Sequence, residues 1–439
     1  MRDALALRRY LSRYTEDGLP APHFTRPHWD SALVLPAYRE QPALLQRLAR
    51  LPAGSGRTLV VLVLNRPDSD LDPRANAALR DALQNPARPR AMRDTVAVYP
   101  LAPQVDLYLL DLEMLRGPTP RAQGVGLARK TGCDLALQWM DGGGISGQWL
   151  CSTDADATLP PDYFARLQTA APDAVAAVFP FHHTAGTDTA CNAATALYEL
   201  RLHHYVLGLE YAGSPYAFHT LGSCLAVRAT AYAHVRGVPR RAGAEDFYLL
   251  NKLAKLGPVS RLQGETISLQ SRFSTRVPFG TGPAVAAIAA AGNPRGAALF
   301  YHPHGFSALA ALLDSLPALA EVPQQDMAAL LVKRDHRGEQ LSPALARQAA
   351  AALETLGITP ALQHCRRQTT SAAQFQRHFH QWFDGFRTLK FIHALRDSGL
   401  PPCSLQDLAS LAPQLWPRAT TVQDPAAIAA AVREHWCWR

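Results

Sequence analysis

Three places in this 439-residue chain set two aspartates two residues apart: Asp154/Asp156, Asp68/Asp70 and Asp70/Asp72. Carboxylates at i and i+2 on an extended backbone point to the same side. Together they can hold a hard divalent cation, Mg²⁺ or Mn²⁺, which takes oxygen ligands and leaves positions for phosphate oxygens. The surroundings separate the three pairs. NRPDSDLDP (65–73) is rich in turn residues and reads as a solvated turn. WLCSTDADATLPPDYF (149–164) reads as an apolar strand running into acids, followed by a helix that Pro160 and Pro161 open. The pair expected to bind metal is therefore Asp154 and Asp156.

Other groups could do chemistry beside it. Glu245 and Asp246 are adjacent acids near an expected helix start, where they serve either the helix dipole or proton transfer. Arg129 and Lys130 sit near a glycine-rich helix entrance, where they can meet phosphate charge. Arg272 and Arg276, in SRFSTR, are candidate phosphate contacts or parts of a solvated loop. His302 and His304 alternate in YHPHGF, so both can face one side of an extended segment; His182 and His183 have a weaker claim of the same kind.

The elements that must position these groups follow from apolar patterning. SALVLPAY (31–38) and RTLVVLVLN (57–65) read as buried strands flanking the helical EQPALLQRLARL (40–51), the opening of a βαβ unit. Such strands present ligand-binding loops at their carboxyl ends. A helix over GVGLARKTGCDLALQWM (124–140), a strand at QWLCSTDAD, a strand at DAVAAVFPFHH, a long helix from Ala190 to Leu209, HTLGSCLAVR (219–228) and a helix over AEDFYLLNKLAKLG follow in order. After about Gly282 the strand signals stop, and Ala/Leu-rich helical stretches alternate with Pro and Gly breaks. The expected organisation is an N-terminal helix and linker (1–30), an α/β domain (31–282) and a helical region (283–439).

In this order the motifs resemble those of the family 2 glycosyltransferases with a GT-A fold, a Rossmann-like mixed sheet flanked by helices, over about residues 31–280. VLPAYRE (34–40) resembles the first-strand motif that opens the uridine pocket, which implies that Pro36, Ala37, Tyr38 and Glu40 lie against base and ribose. GVGLARKTG is similar to the family's Gly-x-Ala-x-Ala-Arg-Asn-x-Gly stretch beside the nucleotide, with Lys130 where Asn is common. STDADATLPPDYF resembles the metal-binding segment. HTLGSCLAVR, with Gly222 and Ser223, resembles the strand that faces donor sugar and acceptor. GAEDFYLLNKLAKLG resembles the helix whose acid is the catalytic base of inverting members, implying Asp246 as base and Glu245 as its neighbour in positioning.

Asn65 stands where the family carries an Asp that pairs with uracil; an amide can still meet a base edge. A histidine after the Glu-Asp helix is often a third metal ligand in such enzymes, which makes His302 a candidate, and Arg272 and Arg276 could bind phosphate or acceptor. The resemblance thus implies transfer of a sugar from a UDP- or GDP-sugar to a hydroxyl acceptor, with Mn²⁺ or Mg²⁺. A retaining transferase of the glucosyl- or mannosylglycerate type would share the donor site without using Asp246 as base. A non-catalytic nucleotide-sugar-binding protein is the further alternative. QSRFSTRVPFGTG is only loosely similar to the motif of processive members, which argues against polymer export.

Composition bounds the rest. A net charge of +8 with scattered Arg residues, and without basic runs interleaved with aromatics, gives nucleic-acid binding little support. Seven isolated cysteines with no C-x-x-C pair argue against a disulfide framework or a structural zinc and fit a cytoplasmic protein. The N-terminal residues lack the pattern of a signal peptide, and PAVAAIAAAGNPRGAALF is too broken to span a bilayer.

Overall fold

The structure, a computed structural model, describes residues 2–52, 56–274, 280–294, 296–321, 326–332, 339–411 and 424–437. The chain divides into two compact units, Met1–Asn192 with Thr220–Ala284, and Ala193–His219 with Val285–Arg439.

The first unit carries the described strands β1 (Ser31–Ala37), β2 (Thr58–Leu64), β3 (Ala91–Arg93), β4 (Val96–Ala102), β5 (Val105–Asp111), β6 (Trp149–Ser152), β7 (Ala157–Thr158), β8 (Ala176–Val178), β9 (Phe181–Thr184), β10 (Leu225–Arg228), β11 (Val259–Arg261) and β12 (Ile267–Gln270). Nine of them form one mixed sheet in the order β11-β8-β10-β6-β1-β2-β5-β4-β3, and the other three a small sheet ordered β7-β12-β9. The segment DAVAAVFPFHH is two strands rather than one. Phe179 and Pro180 separate β8 in the large sheet from β9 in the small one, since Pro180 has no N–H to donate to a ladder.

The central strands β6, β1, β2 and β5 are mutually parallel. Their apolar runs are buried on both faces, and alternate residues serve different layers. Leu35, Ala37, Val60, Leu62 and Leu64 pack in one core with Leu44, Leu45, Leu48, Leu79 and Leu83 from the helices Ala43–Leu48 and Ala77–Gln84. Val34 and Val63 instead meet Gly132 of a long helix. The labelled helices are α1 (Arg2–Arg13), α2 (Gly124–Asp141, which contains Gly132), α3 (Thr189–Tyr211, which begins in this unit and belongs from Ala193 on to the second) and α4 (Glu245–Leu253).

Register carries the site. β1 pairs Val34 with Ser152 of β6, and the antiparallel β10 pairs Leu225 with the same Ser152. The residues that follow β1, β2 and β6, together with those that precede β10, therefore emerge at one edge. The chain leaves β1 toward β2 on one side while β6 lies on the other, so this is a topological switch point, where open α/β sheets bind ligands.

Among its described residues the second unit is helical, with helices including Pro303–Asp314, Pro343–Thr355, Ile358–Gln368, Ala372–Trp382 and Gly385–Asp397. Its only strand-like pairing there is the isolated bridge Phe300–Cys403. Ser342, Ser371 and Asp384 cap three of these helices through side-chain oxygens, and Pro343 begins its helix where a missing N–H does no harm. In QWFDGFRTLKFIHALRD, Phe383 and Phe391 join the buried core with Ile392 and Leu395, and Trp382 packs against it. No described helix is long and apolar enough to cross a membrane.

A Cβ on Gly132 would lie 2.5 Å from Val34 Cγ1 and 2.8 Å from Val63 Cγ2, whereas one on Gly292 would meet nothing within 4 Å. Gly132→Val should lower stability in urea unfolding by about 1–3 kcal/mol, as overpacking does. Gly292→Ala should stay within about 0.5 kcal/mol of the parent. Equal effects would mean that α2 does not sit this closely on β1 and β2.

Candidate active site

Arg129 gathers the edge. It is only 2% exposed, on the second turn of α2, and its guanidinium reaches four acceptors from three parts of the chain. Nε donates to Glu245 Oε1 at 3.1 Å, Nη2 to Asp154 Oδ1 at 2.8 Å, and Nη1 to Gly222 O at 3.0 Å and to Ser152 Oγ. Arginine suits this post because its planar fork presents five donors in fixed directions and stays charged when buried. Gly222 is needed by the same contact, since a Cβ there would stand 2.6 Å from Nη2. The glycine is explained by the arginine behind it.

The other glycines of GVGLARKTG have a packing role too. A Cβ on Gly126 would lie 2.5 Å from backbone atoms of Pro239 and Arg241, and Gly126 N donates to Arg241 O at 2.9 Å. Gly124 presses on Ala242 in the same way. The helix entrance thus grips the segment leading into α4 and so places Glu245 and Asp246. Immediately before them Ala244 holds φ at +55°, a left-handed conformation that costs a residue with a Cβ about 1 kcal/mol or more. The strain sits one residue from the two acids.

Glu245 is buried and spent on Arg129. Asp246 is half-buried, its Oδ1 accepting from Phe247 N at 2.7 Å. Desolvation, with the neighbouring Glu245 charge adding to it, pushes the Asp246 carboxyl up to about 7. That value suits a general base at neutral pH.

Asp156 lies on the small-sheet side. Its Oδ2 accepts from Arg272 Nη2 at 2.8 Å and Nε at 3.1 Å, and Arg272 Nη2 is 3.8 Å from Glu40. Arg272 is therefore at the metal-binding candidate, while Arg276 lies outside the described residues. Burial and the Asp154 charge raise the Asp156 carboxyl above its ordinary range.

The donor set is compatible with a hard cation. Both acids follow the end of β6, and the side chains of Asp154 and Asp156 are 40% and 27% exposed. The side-chain bonds described use Asp154 Oδ1 and Asp156 Oδ2, which leaves Asp154 Oδ2 and Asp156 Oδ1 for a ligand. Thr153 Oγ1, on the residue just before Asp154, is buried with no hydrogen-bond partner among the described residues. Two carboxylates with phosphate and water completing the shell is a usual set for Mg²⁺.

A larger protein cluster is absent, for the described residues contain no group of three or more His, Cys, Asp or Glu able to hold a metal. His302 belongs to the second unit, where its Nδ1 accepts from His304 N at 3.2 Å and caps the helix Pro303–Asp314. His182 spends Nδ1 on Thr266 and Nε2 on Ser268 within the small sheet.

The loops after β1 and β2 are joined by Asn76, buried at 1% exposure, which accepts from Arg39 N and donates to Asn65 O. Pro36 and Ala37 are buried at the end of β1, Glu40 follows on the loop, and Asn65 is buried just after β2. Ser223 is buried as well, its Oγ 3.5 Å from Cys224 Sγ.

Two expectations need correction. The turn around Asp70 is not simply solvated. Asp70 accepts from Tyr38 Oη at 2.5 Å and from Arg39 Nε and Nη2 at 2.9 and 2.8 Å, which holds its carboxyl well below the usual carboxylate range. Arg66, itself paired with Glu113 at 2.6 Å, donates to the Asp70 carbonyl. Asp70 thereby fixes Tyr38, and a pattern of turn residues gives no sign of so distant a partner.

Lys130 does not reach for phosphate. Its ammonium bonds Tyr10 Oη, Tyr14 O and Asp134 Oδ2 at 2.7, 2.8 and 2.7 Å, so all three donors are used in fastening the N-terminal segment to α2. The local signal was present: Lys130 and Asp134 are i and i+4 on one helix. Cys151 and Cys224 are buried, and burial pushes both thiols up to about 12, so they are inert at neutral pH.

No protein-family model and no curated protein matches the sequence. Among solved structures the chain is similar to the mannosyltransferase PcManGT from Pyrobaculum calidifontis in complex with GDP-Man and Mn2+. That match has 16% identity and a TM-score of 0.36, covering 99% of this chain and 96% of that one. It is also similar to S. aureus TarS at 14% identity and a TM-score of 0.33, over 92% of this chain and 55% of that one. At these identities and scores neither neighbour decides the chemistry, which rests on the side chains of this chain.

The Asp246 environment has a consequence for stability. Between the ordinary carboxyl value of 3.8 and about 7, the native state keeps a proton that the unfolded chain releases. Stability from this group is thus complete below the lower value and lost as pH rises through the window. Asp246→Asn carries no such penalty, so its thermal midpoint should gain on the parent steadily from about pH 4 to about pH 8. A constant difference across that range would show that Asp246 is not raised.

Proposed function

We propose that this chain is a metal-dependent glycosyltransferase of the family 2, GT-A type, which moves a sugar from a nucleoside-diphosphate sugar to a hydroxyl acceptor with inversion. The observation that carries the reading is the meeting of Asp154, Glu245 and Gly222 on Arg129 at the carboxyl edge of the sheet, with Asp156 two residues from Asp154 and Asp246 beside Glu245. Segments more than a hundred residues apart thus converge on one small region of charge.

In this reading the loops carrying Pro36, Ala37, Tyr38, Glu40 and Asn65 hold the nucleoside. Asp154 and Asp156 hold Mn²⁺ or Mg²⁺, which when bound neutralises the charge of the departing diphosphate. Gly222 and Ser223 border the sugar. Asp246 takes the proton of the acceptor hydroxyl as that oxygen bonds to the anomeric carbon, and the bond from that carbon to the β-phosphate oxygen breaks, releasing the nucleoside diphosphate. Glu245, neutralised by Arg129, positions Asp246 rather than sharing its proton.

The reading is tested by binding and turnover together. UDP or GDP with Mn²⁺ should raise the thermal midpoint of the parent, and Asp156→Ala should remove that shift while remaining folded. Asp246→Asn should keep the shift and lose transfer by about 10²–10⁴-fold. Near-normal transfer by this variant, or a product that retains the donor's anomeric configuration, would exclude Asp246 as the base. A chain that binds the donor and transfers nothing would be a binding protein.

A further inference from the structure

Building on the proposed donor site, we infer that Arg272 is an internal stand-in for the metal ion: it neutralises Asp156 in the free protein and passes to the diphosphate when cation and nucleotide arrive. The two arginines at the carboxylate pair are built differently. Arg129 is 2% exposed and distributes its donors over Glu245, Asp154, Ser152 and Gly222, so moving it would strand several buried groups. Arg272 is 33% exposed and directs both Nε and Nη2 to a single oxygen, Asp156 Oδ2, with Glu40 further off at 3.8 Å. Two donors on one oxygen is not the parallel two-oxygen pairing that a guanidinium makes with a carboxylate at its strongest. Releasing it breaks one ion pair that water already reaches, a small loss.

The backbone keeps the released side chain close. Gln270 N donates to Asp156 O, and Ser271 N donates to Thr184 O, so the chain is anchored up to the residue before Arg272. β12 also pairs with β7, which begins at the residue after Asp156. The guanidinium can therefore swing about a fixed root beside the metal-binding pair. Its planar fork matches phosphate oxygens as well as it matches a carboxylate. A cation placed on Asp156 would repel the guanidinium, while a diphosphate on that cation would attract it. Metal and arginine then exclude one another on Asp156 and cooperate on the nucleotide, so each of cation and nucleotide favours the binding of the other.

The test is titration calorimetry on the whole chain, first with Mn²⁺ alone and then with UDP and GDP in saturating Mn²⁺. Arg272→Gln should bind free Mn²⁺ about three- to tenfold more tightly than the parent, because the competing charge is gone. It should bind the nucleoside diphosphate about tenfold more weakly, because a phosphate contact is gone. Arg272→Lys, which keeps the charge without the fork, should fall between the two in both titrations. Circular dichroism and thermal midpoints confirm that each variant is folded. If the parent binds Mn²⁺ and a nucleoside diphosphate, yet Arg272→Gln binds free Mn²⁺ no more tightly, the stand-in role is wrong while the donor site survives. Unchanged nucleotide affinity in Arg272→Gln would overturn the transfer to phosphate. If the parent binds neither Mn²⁺ nor a diphosphate, the donor-site reading fails and this inference goes with it.

Discussion

A positive charge with no water around it is the constraint on which the rest of the site depends. Arg129 is 2% exposed, and an arginine so placed must find acceptors for its donors and a negative charge for its own. It finds Glu245 on one side and Asp154 on the other, with a carbonyl and a hydroxyl between them. Removing one partner of a buried pair of this kind costs on the order of 3–5 kcal/mol, so the partners are held firmly. Gly222 must lack a side chain for the guanidinium to fit. Gly124 and Gly126 must lack one so that α2 can press against the approach to α4. The buried cation accounts for Gly222 and for the position of Asp154 and Glu245, and the helix that carries it accounts for Gly124 and Gly126.

The arrangement gives neighbouring carboxylates separate roles. Glu245 faces the arginine directly and is compensated, whereas Asp246, one residue on, turns elsewhere and is pushed up to about 7 by burial and by Glu245. Asp154 and Asp156 differ in the same manner, since one meets a rigid arginine and the other an exposed, movable one. Environments that separate like residues in this way are how a site assigns acid, base and ligand roles to a single residue type. The left-handed Ala244 ahead of α4 is the local cost of placing that turn.

Much of this could be read from the amino acids. The strands 31–37, 58–64 and 149–152 announce themselves because buried parallel strands are continuous apolar runs, and the Asp-x-Asp at 154–156 stands out because a strand runs into it. The helical nature of the residues after 282 followed from Ala/Leu spacing and Pro breaks. What stayed hidden were partnerships over distance. Lys130 beside a glycine-rich turn looks like a phosphate ligand until Tyr10, over a hundred residues away in sequence, is seen to bond it. Asp70 looks like a solvated turn until Tyr38 and Arg39 fold onto it. Local pattern specifies elements and the strand ends they expose, while the choice between ligand and strut depends on which side chains the sheet order brings across.

The central claim is that the carboxylates around Arg129 form the seat of a metal-bound diphosphate. The most direct measurement is anomalous diffraction at the manganese edge from crystals grown with Mn²⁺ and a nucleoside diphosphate. The account predicts a peak between Asp154 and Asp156, diphosphate density beside it, and Arg129 still bonded to Glu245. A peak elsewhere in the chain, or nucleotide bound away from the β1–β6 edge, would contradict it.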